Sequence, residues 1–244
     1  MTSWKKFFLI SGFLSLSACG KVGPFGAVVT QNVDLPSVGQ STPTTTAPMP
    51  TTLPAVAYEP LVWENKPARK VWSDYIFQVI QTDAVNLIAG ADDIARFCPA
   101  YANLTINQKV NFWGQLMAAV SKYESAFDPL SRYQETTMGT DPITGQPVYS
   151  EGLLQLSYQD IQPYPFCEFD WNNDKNLSPT DPHKTILDPY KNLRCGTRIM
   201  AEQIQRHHKI AVSSGAYWST LKDGGSYQVI DSIATLTKNL SFCH

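Results

Sequence analysis

The stretch TINQKVNFWGQLMAAVSKYESAFDP, residues 105–129, decides the fold of this chain. Counted back from Glu124, its apolar side chains recur at steps of four, three, four and three, which is the spacing of one face of an α-helix: Val120, Met117, Trp113 and Val110. Thr105 and Gln108 form the pattern of a capping box at the helix start, and Pro129 stops the helix. The stretch therefore predicts a long helix that packs against a core.

Glu124 continues that apolar face at its last position, which is an unusual place for a charge. Burial disfavours the ionised form of a carboxyl group, so its pKa rises and the group becomes able to donate a proton near neutral pH. The alternative is an ordinary carboxylate at a helix end, which bends toward solvent or pairs with Lys122 or Arg132. Glu124 is the candidate general acid.

Other helical patterns lie on both sides of this stretch. They are a helix opened by Pro67, a short one over 92–97, a short one from 151 or 152 through 156, a long one capped by Asp188 and Pro189, and a last one over 229–236. Residues 133–138 and 146–149 flank a turn-rich segment and predict a small β-hairpin. The pattern predicts one mainly α domain over residues 58–244.

The first 18 residues have the pattern of an export signal. Lys5 and Lys6 precede an apolar run, residues 7–16, and Leu-Ser-Ala follows directly before Cys19. This end resembles a bacterial lipobox, which implies cleavage after residue 18 and lipidation of Cys19. An ordinary signal peptide with a chance cysteine is the alternative. The apolar run is too short to span a bilayer, because a spanning helix needs roughly 20 residues.

Residues 19–57 are rich in proline and threonine and carry almost no charge. Such a composition buries too little apolar surface to offset the entropy lost on ordering, so we expect a disordered, extended tether. The tether would let a domain anchored at Cys19 act at some distance from the membrane.

The four remaining cysteines fit an exported protein with two disulfides: Cys98, Cys167, Cys195 and Cys243. Sequence alone allows three pairings. We expect Cys167 with Cys195, because that pair closes the shorter loop, and Cys98 with Cys243, because that pair ties down the C-terminus. The formal net charge of −2 argues against a nucleic-acid partner.

Three motifs follow one another along the chain: ESAFDP from Glu124, GLLQLS from Gly152 and AYW from Ala216. Over residues 105–222 the chain resembles the soluble lytic transglycosylase family and, at superfamily level, goose-type lysozymes. The resemblance implies a lysozyme-like α-helical domain with the β-hairpin beside an active-site groove. It also implies a catalytic acid at Glu124 and a set of substrate-binding residues: Ser125, Gly152, Leu153, Gln155 and Tyr217.

The chain departs from the family pattern at three places. Leu154 stands where methionine is usual, and Trp218 stands where asparagine is usual. The segment between the first two motifs is also longer than in typical members. This insertion, residues 133–150, either walls the groove and selects among glycan chains or is an inert surface elaboration.

Cleavage of a glycosidic bond requires a proton for the leaving oxygen and a group that stabilises or traps the oxocarbenium-like carbon. The family implies that Glu124 does both, first as acid and then as base, so that the 6-hydroxyl of muramic acid attacks C1 and leaves a 1,6-anhydro end. A hydrolase needs a second carboxylate. The nearest ones in sequence belong to no motif that assigns them: Asp128, Glu135, Asp141 and Glu151.

We therefore expect a peptidoglycan lytic transglycosylase that cleaves the β-1,4 bond between N-acetylmuramic acid and N-acetylglucosamine. A lysozyme-like hydrolase is the first alternative, and a glycan-binding lipoprotein without turnover is the second. The expected partners are peptidoglycan strands and the membrane, through the lipid on Cys19. Gly20 follows the cysteine where an aspartate would oppose outward sorting, which favours the outer membrane with the domain facing the periplasm.

No cofactor or metal is expected. Residues 170–181 place oxygen-bearing side chains at positions 1, 3, 5, 7, 9 and 12, as in an EF-hand loop, but position 6 is not glycine. Pro179 also opposes a helix after the loop, so we favour a polar loop without calcium. His207 and His208 are adjacent rather than four positions apart, which does not make a metal-binding helix face.

Overall fold

The computed structural model describes residues 57–244. The predicted signal, the lipidation of Cys19 and the tether up to residue 56 lie outside the described residues. Within them, the α-helices are α1 (Lys70–Thr82), α2 (Ile106–Ser125), α3 (Trp171–Asp174), α4 (Pro189–His207) and α5 (Ile230–Lys238). The strands are β1 (Arg132–Gln134) and β2 (Tyr149–Glu151). Short 3-10 helices lie at Val62–Asn65, Pro67–Arg69, Val85–Ala89, Ile94–Arg96, Tyr101–Asn103, Tyr158–Ile161, Ser219–Leu221 and Ser241–Cys243.

Helix α2 runs through the core of the domain. Residues 110–121 are all buried, and α2 packs against α1 and α5. Thr105 caps its start by accepting a hydrogen bond from the Gln108 amide at 3.3 Å, as predicted. Ala126 and Phe127 end the helix before Pro129, because both have left-handed backbone with φ of 53° and 64°. Glu124 therefore lies on the last turn, at the edge of the core.

The predicted β-hairpin is confirmed, with shorter strands than expected. β1 and β2 are antiparallel, with Arg132 opposite Glu151. Beyond Gln134 the chain leaves the sheet and curls around the buried side chain of Asp141. That carboxylate accepts hydrogen bonds from three backbone amides, two within the tip and one in the next segment: Ile143 at 2.8 Å, Thr144 at 3.2 Å and Gln159 at 3.0 Å.

The predicted helix from residue 151 or 152 through 156 is wrong. Gly152 and Gln155 have left-handed backbone, with φ of 78° and 51°, which a right-handed helix excludes. Glu151 and Leu156 instead exchange two backbone hydrogen bonds, of 2.7 and 2.9 Å. Residues 151–156 therefore form a tight turn, which we call the GLLQ turn. A 3-10 helix, Tyr158–Ile161, follows it.

The other helix predictions are confirmed with adjusted bounds. Pro67 opens a 3-10 turn, and α1 begins three residues later at Lys70. The short element over 92–97 is one 3-10 turn, Ile94–Arg96. Asp188 caps α4 by accepting a hydrogen bond from the Tyr190 amide at 2.8 Å.

Both predicted disulfides are confirmed. Cys98 is bonded to Cys243, and Cys167 is bonded to Cys195. The first joins the end of the chain to the segment before α2. The second joins the irregular segment 163–188 to α4.

The segment 170–181 does not have the arrangement of a calcium loop. Asp170 caps α3, and Asp174 is buried, where it accepts a hydrogen bond from the Tyr158 hydroxyl at 2.8 Å. Across residues 57–244, no cluster of three or more His, Cys, Asp or Glu side chains is placed to hold a metal ion. In the same range no helix has the length and apolar character needed to cross a membrane.

Candidate active site

Glu124 is half-buried on the last turn of α2. One of its carboxylate oxygens accepts a hydrogen bond from the Thr220 hydroxyl at 2.7 Å. Thr220 lies in the 3-10 helix Ser219–Leu221, which directly follows the AYW motif. Arg132, one of the two alternative partners considered for Glu124, lies against Glu151 instead, with its Nε 3.4 Å from the carboxylate. The fold thus brings the first and third motifs together at Glu124.

Ser125 connects the first motif to the second. Its buried hydroxyl lies 2.9 Å from the backbone carbonyl oxygen of Leu153 and 3.1 Å from that of Ser121. The end of α2 is thereby held against the GLLQ turn. Ser125 serves this connection from inside the protein, since little of its side chain reaches the surface.

Gly152 and Leu153 shape the turn from within. A β-carbon at Gly152 would lie 2.4 Å from the side-chain nitrogen of Asn192, so only glycine fits. Leu153 is fully buried in the core. Both residues belong to the support of the site rather than to its exposed surface.

Gln155 lies on the wall of a small cavity beside the GLLQ turn. Its side-chain nitrogen donates to the carbonyl oxygens of Gly152 at 2.9 Å and Ser131 at 3.3 Å, which fixes the amide in the turn. The cavity is lined by Met138, Val148, Ser150, Gln155, Ser157, Gln159, Asp160 and Tyr217. Met138 and Val148 come from the insertion 133–150, so the insertion forms part of this wall.

Tyr217 is buried, and its hydroxyl donates a hydrogen bond to Asp160. Burial raises the pKa of Tyr217 well above its usual value, and the nearby negative charges of Asp160 and Glu124 raise it further. The hydroxyl therefore stays protonated at neutral pH. The neighbouring Trp218 is fully buried and donates from its indole nitrogen to the carbonyl oxygen of Leu154 at 2.9 Å. Trp218 thus supports the GLLQ turn and is not a lining residue of the cavity.

Another carboxylate, that of Glu135, contacts a residue of the cavity wall. Glu135 directly follows β1 and is 1% exposed. One of its oxygens accepts a hydrogen bond from the hydroxyl of Ser150, a lining residue, at 2.5 Å. The other oxygen is buried and has no hydrogen-bond partner among the described residues. An acceptor left open in a buried place is uncommon and marks a position where a ligand or water would be bound.

The other three carboxylates considered from the sequence are engaged by other groups of the protein. Asp128 is exposed and accepts from the Leu130 amide at 3.0 Å. Asp141 holds the hairpin tip through its amide contacts. Glu151 forms a buried ion pair with Lys184, with the two charged atoms 2.5 Å apart. Of the four, Glu135 is the one with a buried oxygen that has no hydrogen-bond partner among the described residues.

Sequence reasoning missed Glu135, Asp160 and Thr220 as site residues. Asp160 had a usable signal, because Ser157 and Asp160 have the spacing of a capping pair and the Ser157 amide does donate to Asp160 at 2.8 Å. Glu135 lies within the predicted strand 133–138 and is only one of four carboxylates that no motif assigns, and no local pattern marks Thr220. Their roles arise from contacts across the hairpin and across the domain.

Solved structures that are similar to this chain include DslA, a Bdellovibrio protein, in a wild-type form and in two variants. The wild-type structure shares 30% sequence identity and a TM-score of 0.62, covering 75% of this chain and 97% of the DslA chain. The chain belongs to the DslA family. No family model matches the chain, and no curated protein matches it.

Each of the two DslA variants has one glutamate replaced by glutamine. Both share 29% identity with this chain at the same coverage, with TM-scores of 0.62 and 0.61. The two replaced glutamates of DslA lie 11 positions apart (154 − 143 = 11). Glu124 and Glu135 have the same separation (135 − 124 = 11). Glu124 and Glu135 thus have the same spacing as the two glutamates that are replaced in the DslA variants.

Proposed function

We propose that this protein is a peptidoglycan glycosidase of the lysozyme-like superfamily, which cleaves the β-1,4 bond between N-acetylmuramic acid and N-acetylglucosamine. The observation that carries the proposal is that two carboxylates, Glu124 and Glu135, are each linked to a residue that lines one cavity. Ser150 donates a hydrogen bond to Glu135, and the negative charge of Glu124 raises the pKa of Tyr217. Two carboxylates flanking a scissile bond are the usual equipment for glycoside cleavage.

Glu124 is the proposed general acid. It lies on the last turn of α2, and Thr220, 96 positions later in the sequence, orients its carboxyl group through a hydrogen bond. A proton from this group to the glycosidic oxygen would let the leaving sugar depart as a neutral alcohol. The motif order in the sequence supports the same assignment.

Glu135 supports hydrolysis over transglycosylation. A second carboxylate can activate a water molecule or trap the sugar as a covalent intermediate, and the open oxygen of Glu135 is available for either role. The expectation of a 1,6-anhydro product depended on the lack of an assigned second carboxylate, and Glu135 removes that argument. We therefore propose a lysozyme-type hydrolase. The lytic transglycosylase is the second candidate and is favoured by the resemblance of the motifs.

The place of action is also a proposal. Lipidation of Cys19 would hold the enzyme on the outer membrane, facing the periplasm, and the tether would carry the domain to the glycan strands. Both predicted disulfides are formed within residues 57–244, and disulfides are typical of proteins that fold outside the cytoplasm. Labelling the protein with a radioactive fatty acid, with Cys19→Ala as the control, tests the anchor.

The test of function is digestion of purified peptidoglycan by the protein and by Glu124→Gln and Glu135→Gln. Each substitution removes a charge while keeping the shape, and we expect a loss of more than about 100-fold for either. Glu202→Gln is the matched control, because Glu202 lies on α4 with its side chain 40% exposed.

The products distinguish the candidates. New reducing ends identify the hydrolase, and 1,6-anhydro ends identify the transglycosylase. If Glu135→Gln keeps full activity and yields anhydro products, Glu124 alone acts as acid and then as base. Binding of peptidoglycan without release of fragments by any of the proteins would leave the glycan-binding lipoprotein and sink both catalytic proposals.

A further inference from the structure

Asn192 holds the GLLQ turn from behind. Its side chain is fully buried on the first turns of α4, and its amide oxygen and nitrogen both form hydrogen bonds with backbone atoms. The amide oxygen accepts from the Leu154 amide at 2.8 Å. The amide nitrogen donates to the carbonyl oxygens of Glu151 at 3.1 Å and Ile186 at 3.0 Å. The Asn192 side chain thus connects the backbone of residues 151 and 154 to α4.

The face of α4 that carries Asn192 is shaped for this turn. Gly196 lies one helical turn further, on the same face, and a β-carbon there would lie 2.4 Å from a terminal carbon of Leu154. Gly152 fits against Asn192 in the same way, since a β-carbon would meet the amide nitrogen at 2.4 Å. Two glycines therefore allow a close approach that places the Asn192 amide within reach of the backbone.

Other contacts hold the turn at single points. Ser125 reaches the carbonyl oxygen of Leu153, and Trp218 reaches that of Leu154. Lys184 pairs with the Glu151 side chain. Asn192 differs because it fixes the backbone at residues 151 and 154 together, and residue 155 is the next one along the chain. Gln155, whose backbone is left-handed with φ of 51°, directly follows the last residue that Asn192 holds.

We propose that Asn192 is a positioning residue, which fixes the GLLQ turn so that Gln155 and the cavity wall keep the geometry that cleavage needs, without touching the glycan itself. Its effect on rate rests on the proposed function, whereas its effect on the turn does not. A displacement of about 1 Å at such a distance from the reacting atoms is sufficient for losses on the order of 100-fold.

The kinetic test compares Asn192→Ala with Asn111→Ala. Asn111 is a matched control because it is equally buried, at 1% exposed, and also clamps backbone, accepting from the Glu59 amide at 2.6 Å and donating to the Glu59 carbonyl at 3.1 Å. It lies on α2, far along the helix from Glu124. We expect Asn192→Ala to lower kcat by about 100-fold per folded molecule with a smaller change in KM. Asn111→Ala should lower the melting temperature but leave the kcat of the folded protein unchanged.

The second readout is amide hydrogen exchange, which needs no activity. In Asn192→Ala the Leu154 amide should exchange at least about 10-fold faster than in the parent, since its acceptor is gone, while Asn111→Ala should leave it unchanged. If Asn192→Ala does not fold, Asn192→Ser makes the milder change and is read in the same two ways. Equal kinetics and equal Leu154 exchange in the Asn192 and Asn111 variants would overturn the proposal. A parent protein that cleaves no glycan would refute the proposed function, and the exchange result would then decide the positioning role alone.

Discussion

Replacing Lys184 with methionine removes the positive half of an ion pair that is almost completely buried. The side chains of Lys184 and Glu151 are each 3% exposed, and their charged atoms are 2.5 Å apart. Breaking such a pair from one side leaves a buried charge without compensation and costs about 3–5 kcal/mol of unfolding free energy. Arg132 stays 3.4 Å from the same oxygen, so we expect the lower end of that range, about 3 kcal/mol.

The assay is urea unfolding with the disulfides intact, read as a shift in midpoint at constant slope. The double variant Lys184→Met/Glu151→Gln should recover most of the loss, to within about 1 kcal/mol of the parent, because neither charge of the pair is left buried without the other. Lys175→Met is the control for an exposed lysine of the same segment and should change stability by less than about 0.5 kcal/mol. A loss of less than about 1 kcal/mol for Lys184→Met, or a double variant less stable than the single one, would refute the reasoning.

Three further predictions concern other parts of the domain. Burial raises the pKa of Tyr164 from 10.0 to about 12, so the folded state holds this proton more tightly than the unfolded state does. The free energy of unfolding should therefore be unaffected below pH 10 and should fall from there to about pH 12. The fall, measured by urea unfolding, should be smaller in Tyr164→Phe. Thr220→Val removes the hydrogen bond to Glu124 and should lower kcat on peptidoglycan by about 5- to 30-fold with little change in melting temperature; an unchanged rate would show that Thr220 does not orient the acid. Removing the Cys98–Cys243 disulfide, whose cysteines lie 145 positions apart, should lower the free energy of unfolding by about 5 kcal/mol. Removing Cys167–Cys195, with a separation of 28, should lower it by about 3.5 kcal/mol. The reverse order in chemical unfolding would contradict the loop-entropy argument.

The helices were predictable because their signals are local. Thr105 with Gln108, and Asp188 with Pro189, cap α2 and α4 where the pattern places them. The GLLQ turn was not predictable from pattern, since the leucines at 153, 154 and 156 have the spacing of a helix. What excludes a helix there is the left-handed backbone of Gly152 and Gln155. The Asn192 side chain also leaves no room for a side chain at residue 152, through a contact between distant parts of the chain.

The candidate site was predictable to a similar extent. The ordered motifs placed Glu124, Gln155 and Tyr217 in one region, and the structure brings their segments together. Glu135 could not be assigned, because the feature that distinguishes it is a buried oxygen left open after Ser150 has bonded to the other one. Asp160 belongs to the site through its hydrogen bond with Tyr217. The two residues lie 57 positions apart in sequence, so their contact is visible only in the folded chain.

The hairpin tip and the GLLQ turn differ in how much sequence change they tolerate. At Gly139 and Gly145 an added β-carbon would meet nothing within 4 Å, whereas at Gly152 and Gly196 it would collide. At these two tip positions an added group would therefore meet no neighbouring atoms, whereas the buried Asp141 keeps the tip folded and Met138 and Val148, at its base, border the cavity. The tip is accordingly the place where a fluorescent label could be attached next to the cavity without altering the GLLQ turn.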